Sequence, residues 1–406
     1  MKFGIIRERK SPPDKRVVFS PLACSKLLAK YAKARIVVEP SPIRAFTDRE
    51  YRDLGIEVAP KMEECEVLIG VKEGPVEHLI PNKKYFFFSH TIKKQPYNQN
   101  LLQPILKRNI ELYDHQVITD IHGRRLAAFG RYAGIVGAYN GIRAYGLKFD
   151  LFTLPKAEIL PDKMALVAAL RDIGLPPIKI LVTGKGRVGG GIKEILDAMG
   201  IRKVGVLEYL KNSYDQPVYC RIDASEYNRR KDGTRGSKSD FFAHPLEYKS
   251  NFFRFSKVTD LYIAGHFYSD NGSPFLYTRE DVRHPDFKIK VVADISCDID
   301  GPIASTLRAS TIEDPIYGYD PLTESETNYK APHAIAVMAV DNLPCELPRD
   351  ASEGFGASFL KNVIPAFFNG DKDGILERAR MTQDGKLTER YAYLQDYVDR
   401  FEVMKL

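Results

Sequence analysis

The chain has 406 residues, of which 44% are hydrophobic and 28% are charged, and its formal net charge is +7. This length exceeds what one hydrophobic core usually serves, so we expect two globular domains, and the lack of low-complexity tracts excludes a fibrous or disordered protein. The 60 basic residues are scattered among 53 acidic ones, without zinc-ligand spacing or an RNA-recognition signature, which favours an anionic small-molecule substrate over nucleic acid.

Cysteine usage and the N-terminus indicate a reduced, cytoplasmic compartment. The five cysteines are far apart and form neither a disulfide framework nor a metal box. Charged residues appear within the first ten positions, so we expect no signal peptide, and no apolar run approaches the ~20 residues of a membrane span. We therefore expect no metal and no membrane partner. The sequence leaves open whether the protein is a monomer or a homo-oligomer.

Strand and helix patterns alternate along the first part of the chain. Ser20, followed by Pro21, and Thr47 each have the character of a helix N-cap. The predicted strands span residues 3–6, 35–39, 66–72, 85–90 and 110–113. This alternation predicts a mainly parallel, doubly wound sheet.

A long helix rich in small residues is predicted over residues 127–146, where close helix packing is possible and the chain crosses between domains. We assign residues 1–135 plus 335–406 to a discontinuous substrate and catalytic domain. Residues 136–334 form the predicted dinucleotide-binding domain, within which residues 221–238 are interpreted as a polar surface insertion. The expected fold class is α/β, with two Rossmann-like doubly wound parallel-sheet domains and a cleft between them.

A glycine-rich turn lies between an apolar strand near residue 178 and an amphipathic helix. Its sequence from Gly184 to Gly189 follows the G-x-G-x-x-G pattern. Gly184 permits the tight turn, Gly186 lets a pyrophosphate approach the backbone, and Gly189 lets the helix pack on the strand. The pattern predicts a dinucleotide site, with the phosphates at the helix N-terminus.

A second strand is predicted over residues 203–208, ending in the carboxylate of Glu208. It lies about 20 residues past the glycines, where an acid commonly binds the ribose 2′-hydroxyl. This favours NAD, because a carboxylate would repel the 2′-phosphate of NADP. Lys185, Arg187 and Lys211 keep NADP possible.

Two titratable residues end neighbouring predicted strands of the first domain. Lys72 ends the predicted strand at residues 66–72, and His90 ends the predicted strand at residues 85–90. Ligands of open parallel sheets bind at the carboxyl ends of the strands, and both side chains can carry protons once burial or a neighbouring cation adjusts their pKa. The alternative is that both are solvated turn residues.

Several cations fall in loops near the same predicted sheet end: Arg16, Lys93, Arg124 and Arg125. Clustered cations of this kind can bind substrate carboxylates, and arginine does so bidentately. The alternative is an ordinary solvated face.

The sequence around these residues resembles a known family. The matching stretches are Gly70-Val-Lys72-Glu-Gly-Pro and residues 86–93, 123–134, 293–298, 311–315 and 341–352. They resemble the lysine-forming saccharopine dehydrogenases and, more closely, the lysine–2-oxoglutarate reductase half of the aminoadipate semialdehyde synthases. Both groups belong to the alanine dehydrogenase and transhydrogenase superfamily.

The resemblance implies a two-domain enzyme that interconverts saccharopine with L-lysine and 2-oxoglutarate by means of a nicotinamide cofactor, for which NAD is expected and NADP stays open. It assigns acid–base catalysis to Lys72 and His90, and substrate binding to Arg16, Lys93 and Arg125. It also matches the three motif glycines and Asp294 to residues near the cofactor. With the residues of the turn and the second strand, the expected cofactor-binding set is Gly184, Gly186, Arg187, Val188, Gly189, Glu208 and Asp294.

The chain departs from the family pattern at Gln116, where the family usually has a glutamate. Glu73 raises a second question, because an adjacent carboxylate raises the pKa of Lys72 while burial lowers it. Two other functions stay open at this point. One is an alanine dehydrogenase-like enzyme that uses ammonia and pyruvate, and the other is a non-catalytic nicotinamide-binding regulatory protein.

Overall fold

The computed structural model describes residues 1–403, which divide into two compact units. The first unit contains Met1–Phe129 and the chain from Pro348 onward, and the second contains Gly130–Leu347. Each unit is built around its own sheet, which is parallel in the first unit and mainly parallel in the second.

The strands are short, and most are covered on both faces. They are β1 (Lys2–Ile5), β2 (Arg35–Val38), β3 (Glu57–Val58), β4 (Val67–Lys72), β5 (Lys84–Phe88), β6 (Glu111–Asp114), β7 (Lys179–Thr183), β8 (Arg202–Lys203), β9 (Val218–Ile222), β10 (Asn228–Arg230), β11 (Tyr248–Ser250), β12 (Leu261–Ala264), β13 (Val291–Asp294), β14 (Ile316–Asp320), β15 (Ser325–Thr327), β16 (Ile335–Met338), β17 (Thr382–Gln383) and β18 (Lys386–Leu387).

The α-helices are α1 (Pro21–Lys30), α2 (Asp48–Asp53), α3 (Leu102–Lys107), α4 (Gly130–Lys148), α5 (Lys163–Arg171), α6 (Arg187–Ala198), α7 (Val206–Lys211), α8 (Ala224–Tyr227), α9 (Lys238–Ala243), α10 (Phe253–Ser256), α11 (Arg279–Arg283), α12 (Pro348–Asn362), α13 (Ile375–Ala379) and α14 (Gln395–Val403). Short 3-10 helices cover Val76–His78, Thr91–Lys93, Pro96–Asn98, Ala157–Ile159, Pro245–Glu247, Leu343–Glu346, Ile364–Phe367 and Glu389–Leu394.

The sheet of the first unit has six parallel strands in the order β3-β2-β1-β4-β5-β6. The order reverses between β1 and β4, so the crevice of a doubly wound sheet opens at the carboxyl ends of these strands. The predicted caps are confirmed: Ser20 accepts the backbone N–H of Ala23, and Thr47 and Glu50 form a capping box.

The sheet of the second unit has eight strands in the order β15-β14-β16-β13-β12-β7-β9-β8. It is parallel from β16 to β8, and β14 and β15 add an antiparallel edge. The small residues of α4 permit close contact with α6: a Cβ on Gly134 would lie 2.0 Å from the carbonyl oxygen of Val188. The two doubly wound sheets confirm the predicted fold class.

Three sequence expectations change in the second unit. The predicted strand at residues 203–208 is only β8 followed by helix α7. The stretch interpreted as a surface insertion contains the end of β9 and strand β10, which pairs with β11. Strand β16 pairs with β13, so residues 335–347 belong to the second unit rather than the first. An apolar run covered on both faces has the same sequence character in either sheet, which is why its partner strand could not be predicted.

Candidate active site

The predicted pair of titratable residues is in direct contact. Strands β4 and β5 are parallel neighbours, so Lys72 at the end of one and His90 just past the other lie at the same sheet edge. Their side-chain nitrogens Nζ and Nε2 are 3.2 Å apart. At this distance one nitrogen must carry the proton and the other must accept it, so protonation of the two groups is coupled.

The environment of Lys72 favours its neutral form. Its side chain is half-buried, and this loss of solvation, followed by the positive charge of Arg16, lowers its pKa below the ordinary value. Glu73 acts in the opposite direction but with less effect. Burial therefore outweighs the adjacent carboxylate, which answers the question that the sequence left open.

Arg16 is a buried cation with a fixed position. Its Nε and Nη2 donate to the two carboxylate oxygens of Asp14 at 3.0 and 2.6 Å, and its guanidinium lies 4.3 Å from the ring centre of Phe129. Burial alone would raise the pKa of Asp14, but the charge and hydrogen bonds of Arg16 lower it overall. Asp14 therefore holds the guanidinium of Arg16 in place, and the positive charge of this guanidinium acts on Lys72.

The backbone before His90 is fixed by buried polar groups. Asp114, the last residue of β6, accepts the backbone N–H of Ser89 at 3.0 Å and also its hydroxyl. The amide of Asn98 donates to the carbonyl of Ser89 at 2.6 Å and to Glu73 at 3.1 Å. His90 has a left-handed backbone with φ of 55°, an uncommon conformation for a residue other than glycine. These contacts link the ends of β4, β5 and β6.

Glu8 is a site residue that sequence reasoning missed. Its carboxylate accepts the backbone N–H groups of Val71 and Lys72 at 2.7 and 2.9 Å. Burial, followed by the negative charge of Asp14, raises the pKa of Glu8 to about 8. The contact joins residues 63 and 64 positions apart, and it exists because β1 pairs with β4. Since Glu8 lies in a loop with no periodic pattern, the signal could come only from that pairing.

The other predicted substrate cations lie on exposed loops. Lys93 is exposed at the end of the 3-10 helix that follows His90, and Arg125 is exposed where its backbone bridges to Thr119. The structure thus brings Lys72, His90 and Arg16 together and leaves Lys93 and Arg125 at the surface of the same unit. Gln116, which replaces the family glutamate, is a neutral residue whose backbone N–H donates to Asp114 at 2.7 Å.

In the second unit, the glycine-rich turn has the geometry that a pyrophosphate requires. Gly184 has φ of 93°, and a Cβ there would lie 2.3 Å from the carbonyl oxygen of Gly265. A Cβ on Gly189 would lie 2.0 Å from the carbonyl oxygen of Gly184, whereas one on Gly186 would meet no atom within 4 Å. The backbone at Gly186 is therefore open to a ligand, at the N-terminus of the 12-residue helix α6. The turn fits a dinucleotide.

The two remaining residues of the predicted turn, Arg187 and Val188, are the first two residues of helix α6. Val188 packs inward, because a Cβ on Gly130 or Gly265 would lie 3.5 or 3.1 Å from its methyl groups. Val188 thus supports the turn from the side of the core.

The prediction that Glu208 ends the second strand is wrong. Glu208 lies in the first turn of α7, where its carboxylate accepts the backbone N–H of Gly205 at 2.9 Å. The strand beside β7 is β9, and the acid that follows it is Asp223. The segment containing β8 and α7 lies between the glycines and β9, so the usual spacing does not apply. The mostly apolar run Val218–Ile222, followed directly by Asp223, was the sequence pattern that could have predicted this strand and its terminal acid.

Asp223 is the N-cap residue of α8, where it forms a capping box with Glu226. Its carboxylate accepts the backbone N–H of Ala224 at 2.9 Å and lies 3.1 Å from Nζ of Lys238. In a doubly wound dinucleotide site the acid after this strand binds the ribose hydroxyls. Asp223, rather than Glu208, therefore occupies that position in the sheet.

Asp294 is placed at the carboxyl end of β13, as expected, but it is fully buried. Its carboxylate accepts the N–H and hydroxyl of Ser296 at 3.0 and 2.6 Å and the hydroxyl of Thr306 at 2.7 Å. Burial raises its pKa. These contacts make Asp294 the residue that fixes the loop after β13.

Among residues 1–400, whose side chains the structure describes, no group of histidine, cysteine, aspartate and glutamate side chains is arranged to hold a metal ion. No helix in this range combines the length and the apolar character needed to cross a membrane.

Comparisons with known proteins agree with this architecture. Residues 4–136 match the family model "Alanine dehydrogenase/PNT, N-terminal domain". The chain is 27% identical to the alpha-aminoadipic semialdehyde synthase of Arabidopsis thaliana, with 96% of this chain and 41% of that protein aligned. It is 28% identical to the mitochondrial protein of the same name from Mus musculus, with 89% and 44% aligned. The chain thus spans less than half the length of these relatives.

A further relative is similar over nearly its full length. The "Saccharopine dehydrogenase [NAD(+), L-lysine-forming]" of Candida glabrata is 26% identical, with 94% of this chain and 98% of that protein aligned. Among solved structures, an L-alanine dehydrogenase aligns over 98% of this chain and 99% of its own, with a TM-score of 0.66 and 17% identity. A transhydrogenase from Sinorhizobium meliloti aligns over 96% and 100%, with a TM-score of 0.58 and 13% identity. These two structures share the fold.

Proposed function

We propose that this chain is a member of the alanine dehydrogenase and transhydrogenase superfamily and, within it, of the lysine-forming saccharopine dehydrogenase group, and that it interconverts saccharopine with L-lysine and 2-oxoglutarate. The observation that carries the proposal is the 3.2 Å contact between Lys72 and His90 at the carboxyl edge of the first sheet. The names and coverage of the saccharopine dehydrogenases, 94% of this chain in one case, support the choice of substrate.

The residue types suit the chemistry of the reaction. When lysine and 2-oxoglutarate combine, the lysine ε-amine must lose a proton before it attacks the keto carbon, and the resulting carbinolamine must lose water. Two proton carriers in contact can serve these steps, one accepting from the amine and one donating to the leaving hydroxide. The lowered pKa of Lys72 increases its neutral fraction, so we assign Lys72 the role of base for the amine and His90 that of the partner acid.

The substrate carries several negative charges. Saccharopine has three carboxylates, and a fixed guanidinium binds a carboxylate with less loss of conformational entropy than a mobile lysine. Arg16, held by Asp14 and 3% exposed, is such a cation. We assign Lys93 and Arg125 to the remaining carboxylates, because both lie on loops of the unit that holds Lys72.

The second unit would hold the cofactor. The turn formed by Gly184, Gly186 and Gly189 fits the pyrophosphate, and Asp223 would accept the 2′-hydroxyl of the adenosine ribose. When bound, the nicotinamide would supply hydride-transfer chemistry at the former keto carbon of 2-oxoglutarate, which is bonded to the nitrogen that links the two amino-acid parts. Because the charge of Asp223 repels a 2′-phosphate, we propose NAD rather than NADP as the cofactor, although Lys238 at 3.1 Å weakens this repulsion.

The test is oxidation of NADH and of NADPH by the purified protein with two substrate pairs. Turnover that requires both L-lysine and 2-oxoglutarate, and that prefers NADH, supports the proposal. Turnover with ammonia and pyruvate alone would assign the chain to alanine dehydrogenase-like chemistry. NADH binding in calorimetry, without turnover on either pair, would instead identify a regulatory nicotinamide-binding protein.

A further inference from the structure

Two phenylalanines form an exposed aromatic surface in the second unit. Phe242 is 36% exposed and Phe267 is 67% exposed. Their ring centres are 6.2 Å apart with an interplanar angle of 57°. We call this pair the aromatic platform. Large aromatic side chains left in water in contact with each other are a feature of ligand-binding surfaces.

Phe242 belongs to the segment that follows β9. It lies in helix α9, and its neighbour Phe241 anchors the helix in the core at 4% exposure. Lys238, four residues earlier, lies on the same helical face as Phe242, and its Nζ is 3.1 Å from the carboxylate of Asp223. The face that presents Phe242 is therefore the face that reaches the proposed ribose acid.

Phe267 belongs to the segment that follows β12, on the other side of β7. The preceding residue, His266, places its Nδ1 3.1 Å from the hydroxyl of Thr183, the last residue of β7. Two residues before Phe267, the carbonyl of Gly265 lies against Gly184 of the glycine-rich turn. Phe267 is thus attached to the same sheet edge as the proposed pyrophosphate site.

The platform therefore joins the segments that follow the two strands flanking β7. A dinucleotide with its pyrophosphate at the N-terminus of α6 and its adenosine ribose at Asp223 must extend its base past Asp223. The segments after β9 and β12 follow the two strands that flank β7, and Phe242 and Phe267 are exposed aromatic side chains of these two segments.

We propose that the aromatic platform of Phe242 and Phe267 binds the adenine ring of the dinucleotide by stacking. This inference rests on the proposed function and adds to it the residues that bind the base. Stacking of a base on an aromatic side chain contributes through the face of the ring and requires no hydrogen-bond donor, so the platform binds the adenylate half and makes no contribution to the nicotinamide half.

The test is direct binding of NADH, AMP and nicotinamide mononucleotide to the whole protein. The chain contains no tryptophan, so NADH fluorescence can be followed with little protein background, and calorimetry measures the other two ligands. Replacing Phe267 or Phe242 by alanine should weaken NADH and AMP binding about 5- to 100-fold, the range of base–aromatic stacking. Binding of nicotinamide mononucleotide should not change, and Phe267→Tyr should retain the affinity for AMP.

Leu322→Ala is the matched control, because Leu322 is a 79% exposed apolar residue of the same unit and should leave all three affinities unchanged. Unaltered AMP binding in both alanine variants would overturn the proposal. A variant that changed the sedimentation coefficient but not AMP binding would overturn it in favour of a contact between copies. If the unaltered protein bound no NADH, the proposed function itself would be wrong. If the unaltered protein bound NADH and the alanine variants kept their AMP affinity, only the stacking proposal would be wrong.

Discussion

Nζ of Lys72 and Nε2 of His90 lie 3.2 Å apart although the residues are 18 positions apart in the chain. They meet because β4 and β5 are adjacent parallel strands whose carboxyl ends share one sheet edge. Since each nitrogen can accept only when the other donates, the two groups act as a coupled proton-carrying pair. A change in either residue should therefore affect the same chemical step.

We expect Lys72→Met and His90→Gln each to lower kcat with L-lysine and 2-oxoglutarate by roughly 10²–10⁴-fold, the range for loss of a general acid or base. Because the two groups act as one unit, the double variant should lose less than the product of the two single losses. Steady-state kinetics measures both effects. Near-normal kcat in either single variant, with the fold intact by circular dichroism, would remove that residue from the mechanism.

The glycine-rich turn provides a matched pair of substitutions within one helix. Gly189→Ala places a Cβ 2.0 Å from the carbonyl of Gly184, whereas Gly190→Ala meets no atom within 4 Å. We expect Gly189→Ala to displace the turn and weaken NADH binding by at least about tenfold, the equivalent of ~1.4 kcal/mol. Gly190→Ala should keep NADH affinity and stabilise α6 by about 0.5–1 kcal/mol. Fluorescence titration and thermal unfolding measure both, and equal affinities in the two variants would contradict the assignment.

Cofactor preference should depend on Asp223 and not on Glu208. Asp223→Ser retains an oxygen that can accept the N–H of Ala224 but removes the negative charge, so NADPH should bind more tightly relative to NADH. Glu208→Ala should leave the ratio of the two dissociation constants unchanged, because Glu208 lies within α7 and does not follow the strand beside β7. A shift in the ratio for Glu208→Ala alone would restore the assignment made from spacing.

Glu346 should make the stability of the protein depend on pH. Its carboxyl is 3% exposed, and burial raises its pKa from 4.5 to about 7. The folded state then binds a proton that the unfolded state releases, so this contribution to stability is complete below pH 4.5 and is lost as pH rises through 7. The side-chain amide of Asn140 donates to the carboxyl of Glu346 at 2.8 Å. Glu346→Gln keeps a side-chain oxygen that can accept this hydrogen bond.

We therefore expect Glu346→Gln to match the unaltered protein at pH 4.5 and to be more stable by roughly 2–4 kcal/mol at pH 8. Urea unfolding at the two pH values gives the difference in free energy. The same increment at both pH values would mean that the carboxyl is ionised in the folded protein throughout this range.

The sequence pattern predicted a structural feature correctly wherever the contacts that form this feature join residues close together in the chain. The caps at Ser20 and Thr47 depend on backbone groups three residues away, and the three glycines act within one turn. Lys72 and His90 could be predicted because apolar strands followed by titratable residues identify the carboxyl edge of a parallel sheet. The roles of Lys93, Arg125 and Asp294 stay predictions, since they depend on where substrates bind.

By itself the sequence determined the class of fold, the glycine-rich turn and the placement of Lys72 and His90 at one edge of a parallel sheet. Only the tertiary structure decided that β9 rather than β8 lies beside β7, which moves the proposed ribose-binding acid from Glu208 to Asp223. It also decided the direction of the pKa shift of Lys72, because burial and the charge of Arg16 come from residues far away in the chain. Strand order and burial are long-range properties, and local periodicity carries no information about which strand is the neighbour.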